Sequence, residues 1–266
     1  MIRRALCLLL VPFALVSCGG NSERVIVAAG TTVVDSGFID ALAARFEAEH
    51  PDVKLSILPN PTRLILELGR QHSADLLITH AASQEETFIA EGRSSHSEVV
   101  FESRFVLVGP PQLRDRFRTY EIPEVFRAIA TEGLPFVSRG DGSGTHEAEM
   151  EAWLESGLDP SGQPWYAVTG SGMGPTLQVA DQREASTLAE IGSFIAAAET
   201  LGLVDLEAEP EGLENPYTAT VVAGADGEAG AIEFLVWLTS DAGQKAIGEI
   251  NEELFGQVVY HPPEVG

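Results

Sequence analysis

Short runs of β-branched and apolar residues alternate with segments of helical periodicity along most of this 266-residue chain, and that alternation constrains the fold more than any other feature. Val25–Ala28, Val53–Leu58, Asp75–Thr79, Phe105–Val108, Pro135–Ser138 and Thr218–Val222 read as strands. Between the first two, Phe38, Ile39, Leu42 and Phe46 recur at helical spacing, with a start expected near Asp35–Ser36 and a stop before Pro51. Leu64–Leu68, a capping-box match at Ser83–Glu86, Pro123–Ala130 and Thr145–Ser156 continue the pattern. In the last of these Met150, Trp153 and Leu154 are expected on one side, and a final helical stretch carries Ile232 through Ile250. Such alternation implies an α/β fold with mostly parallel sheets. A chain of this length buries a core as one large domain or two modest lobes. Gly109–Pro111 and Pro210–Pro216 are the two places where it could pass from one lobe to the other.

The first twenty residues are not part of that pattern. Arg3 and Arg4 precede an apolar stretch, Ala5 to Val16, and a small-residue end, so residues 1–17 read as a signal peptide. Leu15-Val16-Ser17-Cys18 resembles a bacterial lipobox, which implies an exported lipoprotein whose lipidated N-terminus is Cys18; the plain alternative is a signal peptide that happens to contain this cysteine. Cys7 lies within the cleaved stretch, so the mature chain has no disulfide and no thiolate metal cluster. Nothing after residue 20 is apolar for the roughly eighteen residues that a membrane span needs. Forty acidic residues against sixteen basic ones give a net charge of −24. Losing Arg3 and Arg4 makes the mature balance 14 − 40 = −26. No basic block exists to hold a phosphate backbone, which excludes a nucleic-acid partner. With lysine present only at Lys54 and Lys245, the acidity reads as an adaptation of the surface to saline surroundings.

The stretch richest in chemistry is Ser138-Arg139-Gly140-Asp141-Gly142-Ser143-Gly144-Thr145-His146, between a strand and a helix. Glycines admit close backbone approach, a helix N-terminus offers N–H groups with partial positive charge, and Arg139 adds a forked cation. That combination makes an anion cradle; the glycines alone would make only a capped turn. Gly30-Thr31-Thr32 with Asp35-Ser36 is a second candidate cradle, with plain N-capping as the alternative. Gly170-Ser171-Gly172-Met173-Gly174 is a weaker third, without dinucleotide spacing and with no strand immediately before it. Enzyme signatures are missing: position 141 is Asp where a nucleophile elbow needs Gly, and neither a Walker A nor an H-E-x-x-H motif occurs. The histidines are scattered singly, and Trp153, Trp165 and Trp237 are expected in the core.

Thr31–Gly37, Ala74–His80, Val108–Pro110, Ser138–His146, Trp165–Leu177 and Val236–Ser240 followed by Gln244 occur in an order that resembles the tungstate-binding component of bacterial tungstate ABC transporters. The resemblance covers nearly all of the mature chain. It implies a two-lobed type II periplasmic-binding-protein fold with two crossover strands and the ligand in the interlobe cleft. Residues 24–105 plus 210–266 would form the first lobe and 106–209 the second. Thr31, Thr32, Ser36, Thr62, Arg139, Ser143, Gly144 and Thr145 would bind the oxyanion, supported by His80, Asp141, Gly172 and Met173. No cofactor, metal cation or catalysis is implied. The partners would be a tetrahedral anion, tungstate or molybdate, and the permease and ATPase of an importer, with the protein a monomer on the periplasmic or cell-surface side.

Two loops depart from the family pattern. Pro61-Thr62-Arg63 stands where a glycine-threonine-glycine loop is usual, and Ile191, in Glu190–Phe194, stands where an arginine is usual. Arg63 could reach the cleft in compensation or lie in solvent. The alternatives for function are a phosphate receptor, since the Arg139–Thr145 loop also resembles that of phosphate-binding proteins, a ligand sensor outside transport, and an enzyme on the same scaffold.

Overall fold

The computed structural model describes residues 22–208 and 213–263; the signal segment, Cys18 and the expected boundary at residue 210 lie outside the described residues. The first half of the chain runs β1 (Glu23–Gly30), α1 (Thr31–Asp35), α2 (Phe38–Glu49), β2 (Val53–Asn60), α3 (Thr62–Arg70), β3 (Leu76–Thr79), α4 (Ala82–Ala90) and β4 (Ser94–Gly109). A short 3-10 turn at Pro111–Leu113 leads to α5 (Arg114–Phe117), α6 (Ile122–Glu132), β5 (Phe136–Ser138), α7 (Gly144–Glu155), β6 (Tyr166–Val168), α8 (Met173–Gln182), β7 (Thr187–Glu190) and α9 (Ile191–Ala198). β8 (Val204–Asp205), β9 (Glu214–Val222), α10 (Glu228–Thr239) and α11 (Asp241–Phe255) complete it.

The sixteen residues of β4 span roughly 50 Å, enough to run through two sheets. From Ser94 to Arg104 it pairs with β9, closing a first-lobe sheet of order β2-β1-β3-β9-β4. From Phe105 onward it pairs with β7 and β8, while β5 and β6 extend the second-lobe layer through a Phe136–Ser186 bridge. The return crossing lies beside the first, because the Phe105 amide donates to the Leu213 carbonyl at 2.8 Å, just before β9. The fold is thus two-lobed, with β4 and β9 as crossover strands. Successive side chains of β4 serve opposite faces, Val106 and Val108 entering the central cluster and Phe105 and Leu107 the second-lobe cluster. Leu76 and Ile78 of β3 join the central cluster while Leu77 faces a third, with Ile65 and Phe88. β3 and the part of β4 from Phe105 onward are buried on both faces, which is why they read as unbroken apolar runs.

The expectation of mostly parallel sheets is corrected. Among the ladders of the described residues, β1–β2, β1–β3 and β5–β6 pair parallel, whereas β9 and the long β4 make every one of their named ladders antiparallel. Local periodicity carries no information about direction in a strand that returns between lobes. The outgoing lobe-to-lobe passage lies inside β4, at Arg104–Phe105, and not at Gly109–Pro111, whereas the return passes at Leu213–Glu214, within the expected Pro210–Pro216 stretch. The helix expected from Asp35–Ser36 begins at Phe38, after a separate turn of α1, because Gly37 takes a left-handed φ of 79°. In α4, Ser83 lies inside the helix and the Glu85 carboxylate accepts from the Ala81 amide at 2.8 Å. On α7, Trp153 is buried but Leu154 is 77% exposed, so these neighbours do not share a face. Trp153 and Trp237 are buried; Trp165 packs, half-buried, on Trp153. A strand, β6, does precede the third glycine loop. No helix among the described residues is long and apolar enough to cross a membrane.

Candidate functional site

The loops after β1, β2, β3 and β5 all leave the carboxyl ends of strands, where open α/β sheets present ligand crevices. The Ser138–His146 loop reaches across to the first lobe. Arg139 is 1% exposed, and one terminal nitrogen, Nη2, donates to Thr31 Oγ1 of the first lobe at 3.0 Å and to Asp141 Oδ2 at 2.6 Å. Its other terminal nitrogen, Nη1, donates to Thr145 Oγ1 at 3.4 Å. A guanidinium has five N–H donors. The Nε–H, although buried, has no partner among the described residues, and one Nη1–H is likewise unspent. An unpaired charged donor in the interior is costly, so this arrangement is suited to an acceptor arriving from the cleft.

Asp141 holds the loop. Its Oδ1 accepts from the Ser143 amide at 3.1 Å and the Ser143 hydroxyl at 2.6 Å. Burial disfavours its charge, but Arg139 and these donors outweigh that and keep the carboxyl below its ordinary range. Ser143 donates its hydroxyl proton to Asp141 and caps α7 by accepting from the His146 amide. Gly144 opens α7 against the first lobe, where a Cβ would stand 2.2 Å from the His80 carbonyl oxygen. Only glycine lets the two lobes approach this closely.

Of the remaining expected site residues, Thr31 faces Arg139, and its Oγ1 lies 4.0 Å from where a Cβ on Gly172 would be. Thr32 and Ser36 turn away into the core, onto the hydroxyls of Tyr217 and Tyr260 at 3.1 Å each. Met173 is fully buried in the central cluster, leaving Gly172 and the start of α8 as the part that borders the site. Thr62, at the start of α3, is 1% exposed with an unpartnered hydroxyl. Arg63 follows it, exposed, with Cβ and Nε each 3.9 Å from the Cβ position of Gly142 in the other lobe. His80 is stacked on Tyr217 at 4.8 Å and bonded through Nδ1 to Asn215 Oδ1 at 2.8 Å. Burial lowers its pKa to about 4, so it is a neutral wall of the site. Asp35 is also near enough to feel Arg139, though burial wins and raises its pKa. No group of three side chains able to hold a metal ion occurs among the described residues.

Sequence reasoning missed Tyr217, Asn215, Tyr260 and Ser193, which support the loops from β9, the C-terminal segment and α9. The Ser193 hydroxyl donates to the Thr32 carbonyl at 3.2 Å. Glu190, fully buried, receives Ser103 Oγ at 2.7 Å and the Gly192 and Ser193 amides at 3.0 and 2.8 Å, tying a crossover strand to the start of α9. Ile191, in the position where an arginine was expected from the family pattern, is 8% exposed in the central cluster and offers the anion nothing.

Beneath the loop, Glu149 of α7 accepts from Tyr166 Oη at 2.6 Å and Trp153 Nε1 at 3.3 Å. Burial, only partly offset by Tyr166, Ser138 and Trp153, raises its pKa from 4.5 to about 7. The unfolded carboxyl ionises first as pH rises, so the native state binds more protons between these values. Stability from this group is full below about pH 4.5, declines up to about pH 7 and is flat above it. Glu149→Gln is expected to be more stable than the parent above pH 7, by up to about 3 kcal/mol, with the difference vanishing near pH 4.5. Urea midpoints of both proteins across this range measure it, and a constant difference would contradict the assignment.

The family model described as a PBP superfamily domain matches residues 19–242. The chain is 31% identical over 245 residues to the tungstate-binding protein TupA of Peptoclostridium acidaminophilum, covering 90% of this chain and 85% of that protein. It is 28% identical to the tungstate-binding protein TupA of Campylobacter jejuni over 83% of this chain and 86% of that one. The crystal structure of the tungstate ABC transporter from Geobacter sulfurreducens superposes with a TM-score of 0.77 at 31% identity, covering 85% of this chain and 98% of the other.

Proposed function

This chain belongs to the PBP, or periplasmic-binding-protein, superfamily, and from that premise we propose that it is an exported receptor that captures tungstate, or the related molybdate, between its lobes for an ABC importer. The observation that carries the reading is the buried Arg139, whose Nε–H has no partner; the Thr62 hydroxyl is likewise buried and unpartnered. A tetrahedral dianion without protons needs donors alone. A protonated anion such as hydrogen phosphate would also need a free acceptor, and the carboxylate at the site, Asp141, already receives three hydrogen bonds from its own loop. The relatives named for tungstate support the same ligand.

The protein's task is binding and closure, with no bond made or broken. Ser143 donates to Asp141, and His146 Nδ1 accepts from the Gly142 amide at 3.1 Å, so the nearby histidine is not aimed at the serine hydroxyl as a triad would need. Contacts between lobes at Arg139–Thr31 and Gln84–Glu147 would hold the closed form. Delivery to a permease and tethering through a lipid on Cys18 belong to the same proposal, and a Cys18→Ala variant that still incorporates palmitate would end the lipid part of it.

The direct test is thermal unfolding of the purified protein with tungstate, molybdate and phosphate. A ligand at a thousand times its Kd adds about 4 kcal/mol to native stability, which for a chain of this size raises the midpoint by on the order of 10 °C. Tungstate and molybdate are expected to give such shifts. A shift with phosphate and none with either metal oxyanion would reassign the ligand, and no shift with any of them would sink the receptor reading.

A further inference from the structure

The charges around Arg139 do not add up to a site for a dianion. Its guanidinium is in contact with Asp141 at 2.6 Å, so the pair is close to neutral, and the whole chain carries −24. A doubly charged ligand in the cleft would meet donors but little net positive charge from this loop. One further cation stands at the same place. Arg63 reaches from the first lobe to within 3.9 Å of the Cβ position of Gly142, three residues along the loop from Arg139.

Its placement is otherwise unexplained. As the second residue of α3 it sits at the positive end of a helix, where a cation is disfavoured. Among the described residues it makes no ion pair and no hydrogen bond. Most other surface cations of this acidic chain are paired, Arg45 with Glu249, Arg70 with Glu91 and Lys245 with Glu249, and among the described residues only Arg183, far along the chain at the C-terminal end of α8, shares the lack of a partner. Arg127, which lacks a carboxylate, bonds instead to the carbonyl of Ser156 at 3.1 Å. Beside Arg63, the Thr62 hydroxyl is buried and unpartnered, an independent sign that the start of α3 awaits an acceptor.

We infer that Arg63 is the second cation of the oxyanion site, brought over the ligand from the opposite lobe by closure and setting the preference for dianions over monoanions of the same shape. The inference rests on the oxyanion-receptor reading and extends it. Arg139 and the loop hydroxyls recognise a tetrahedron of oxygens, which a monoanion presents equally well. Arg63 adds attraction that scales with the ligand's charge. Because it is exposed and unpaired, removing it leaves the fold without an orphaned partner.

The test is titration calorimetry of the full mature protein and of Arg63→Gln and Arg63→Lys, each with sodium tungstate and with sodium perrhenate, a tetrahedral monoanion, at two salt concentrations. Arg63→Gln is expected to weaken tungstate by about tenfold or more, weaken perrhenate by under about threefold, and flatten the salt dependence of tungstate affinity. Arg63→Lys should keep most of the tungstate affinity, and the midpoint of unfolding without anion should be unchanged in both. Tungstate bound by Arg63→Gln within about twofold of the parent overturns the inference and leaves the receptor reading standing. Equal loss for tungstate and perrhenate also overturns it, since that would make Arg63 a general donor. A parent protein that binds no tetrahedral anion sinks both.

Discussion

Arg139→Ala is expected to abolish oxyanion binding and to destabilise the free protein as well, and the two losses separate by a second substitution. Two N–H groups of the buried fork are unspent inside the protein, and a hydrogen bond from a charged donor is worth about 1.5–3 kcal/mol, so affinity should fall by at least about a hundredfold. The fold suffers for a different reason. Asp141, with 10% of its side chain exposed, loses the cation that offsets its burial. Breaking a buried pair at one end costs about 3–5 kcal/mol; the access of Asp141 to the cleft puts the expectation at the lower end. Arg139→Ala/Asp141→Asn should restore much of the stability and none of the affinity. Arg139→Lys should keep the fold while binding weakly, because an ammonium cannot reach Thr31, Asp141 and the ligand at once. Denaturant midpoints and calorimetry on the four proteins make the comparison. Binding by Arg139→Ala within a few-fold of the parent would remove Arg139 from the centre of the site.

How far the sequence revealed this site follows from where its parts lie in the chain. The Ser138–His146 segment is legible because it is self-contained: arginine, aspartate, serine and glycines bond mostly to one another within nine residues. Ser143 was legible as a polar residue at a helix start but not as one whose proton is taken by Asp141. The hydroxyls of Thr32 and Ser36 were equally ambiguous, since the tyrosines they contact are 185 and 224 residues away. The first part of β4 was not legible at all. Ser94–Glu98 is polar and largely exposed, with no apolar alternation, and is a strand only because β9 returns beside it. Arg63 was visible as a residue but not as a position, because only the fold brings α3 against Gly142. The net charge misleads in the same way. A value of −24 describes the surface, whereas the ligand meets a nearly neutral Arg139–Asp141 pair and one unpaired arginine, and charges beyond about 10 Å are screened at ordinary ionic strength.

Gly144→Ala is expected to leave the free protein folded while weakening tungstate by about ten- to a hundredfold. A methyl group at this position would stand 2.2 Å from the His80 carbonyl oxygen and 2.8 Å from the imidazole carbons Cγ and Cδ2. The nearest obstacle is backbone, which cannot swing aside, and overpacking of this kind costs about 1–3 kcal/mol. The clash lies between His80, just after β3 of the first lobe, and the start of α7 in the second, so it is relieved by opening the cleft and not by unfolding either lobe. That cost falls on the closed form alone and is subtracted from apparent affinity. The helix itself gains, since alanine restricts the unfolded chain more than glycine does and Gly144 does not need a left-handed conformation. Small-angle scattering should therefore show the parent contracting on addition of tungstate and the variant remaining extended, with equal or higher melting midpoints when no anion is present. Contraction of the variant at the parent's tungstate concentration would mean that closure does not bring Gly144 against His80.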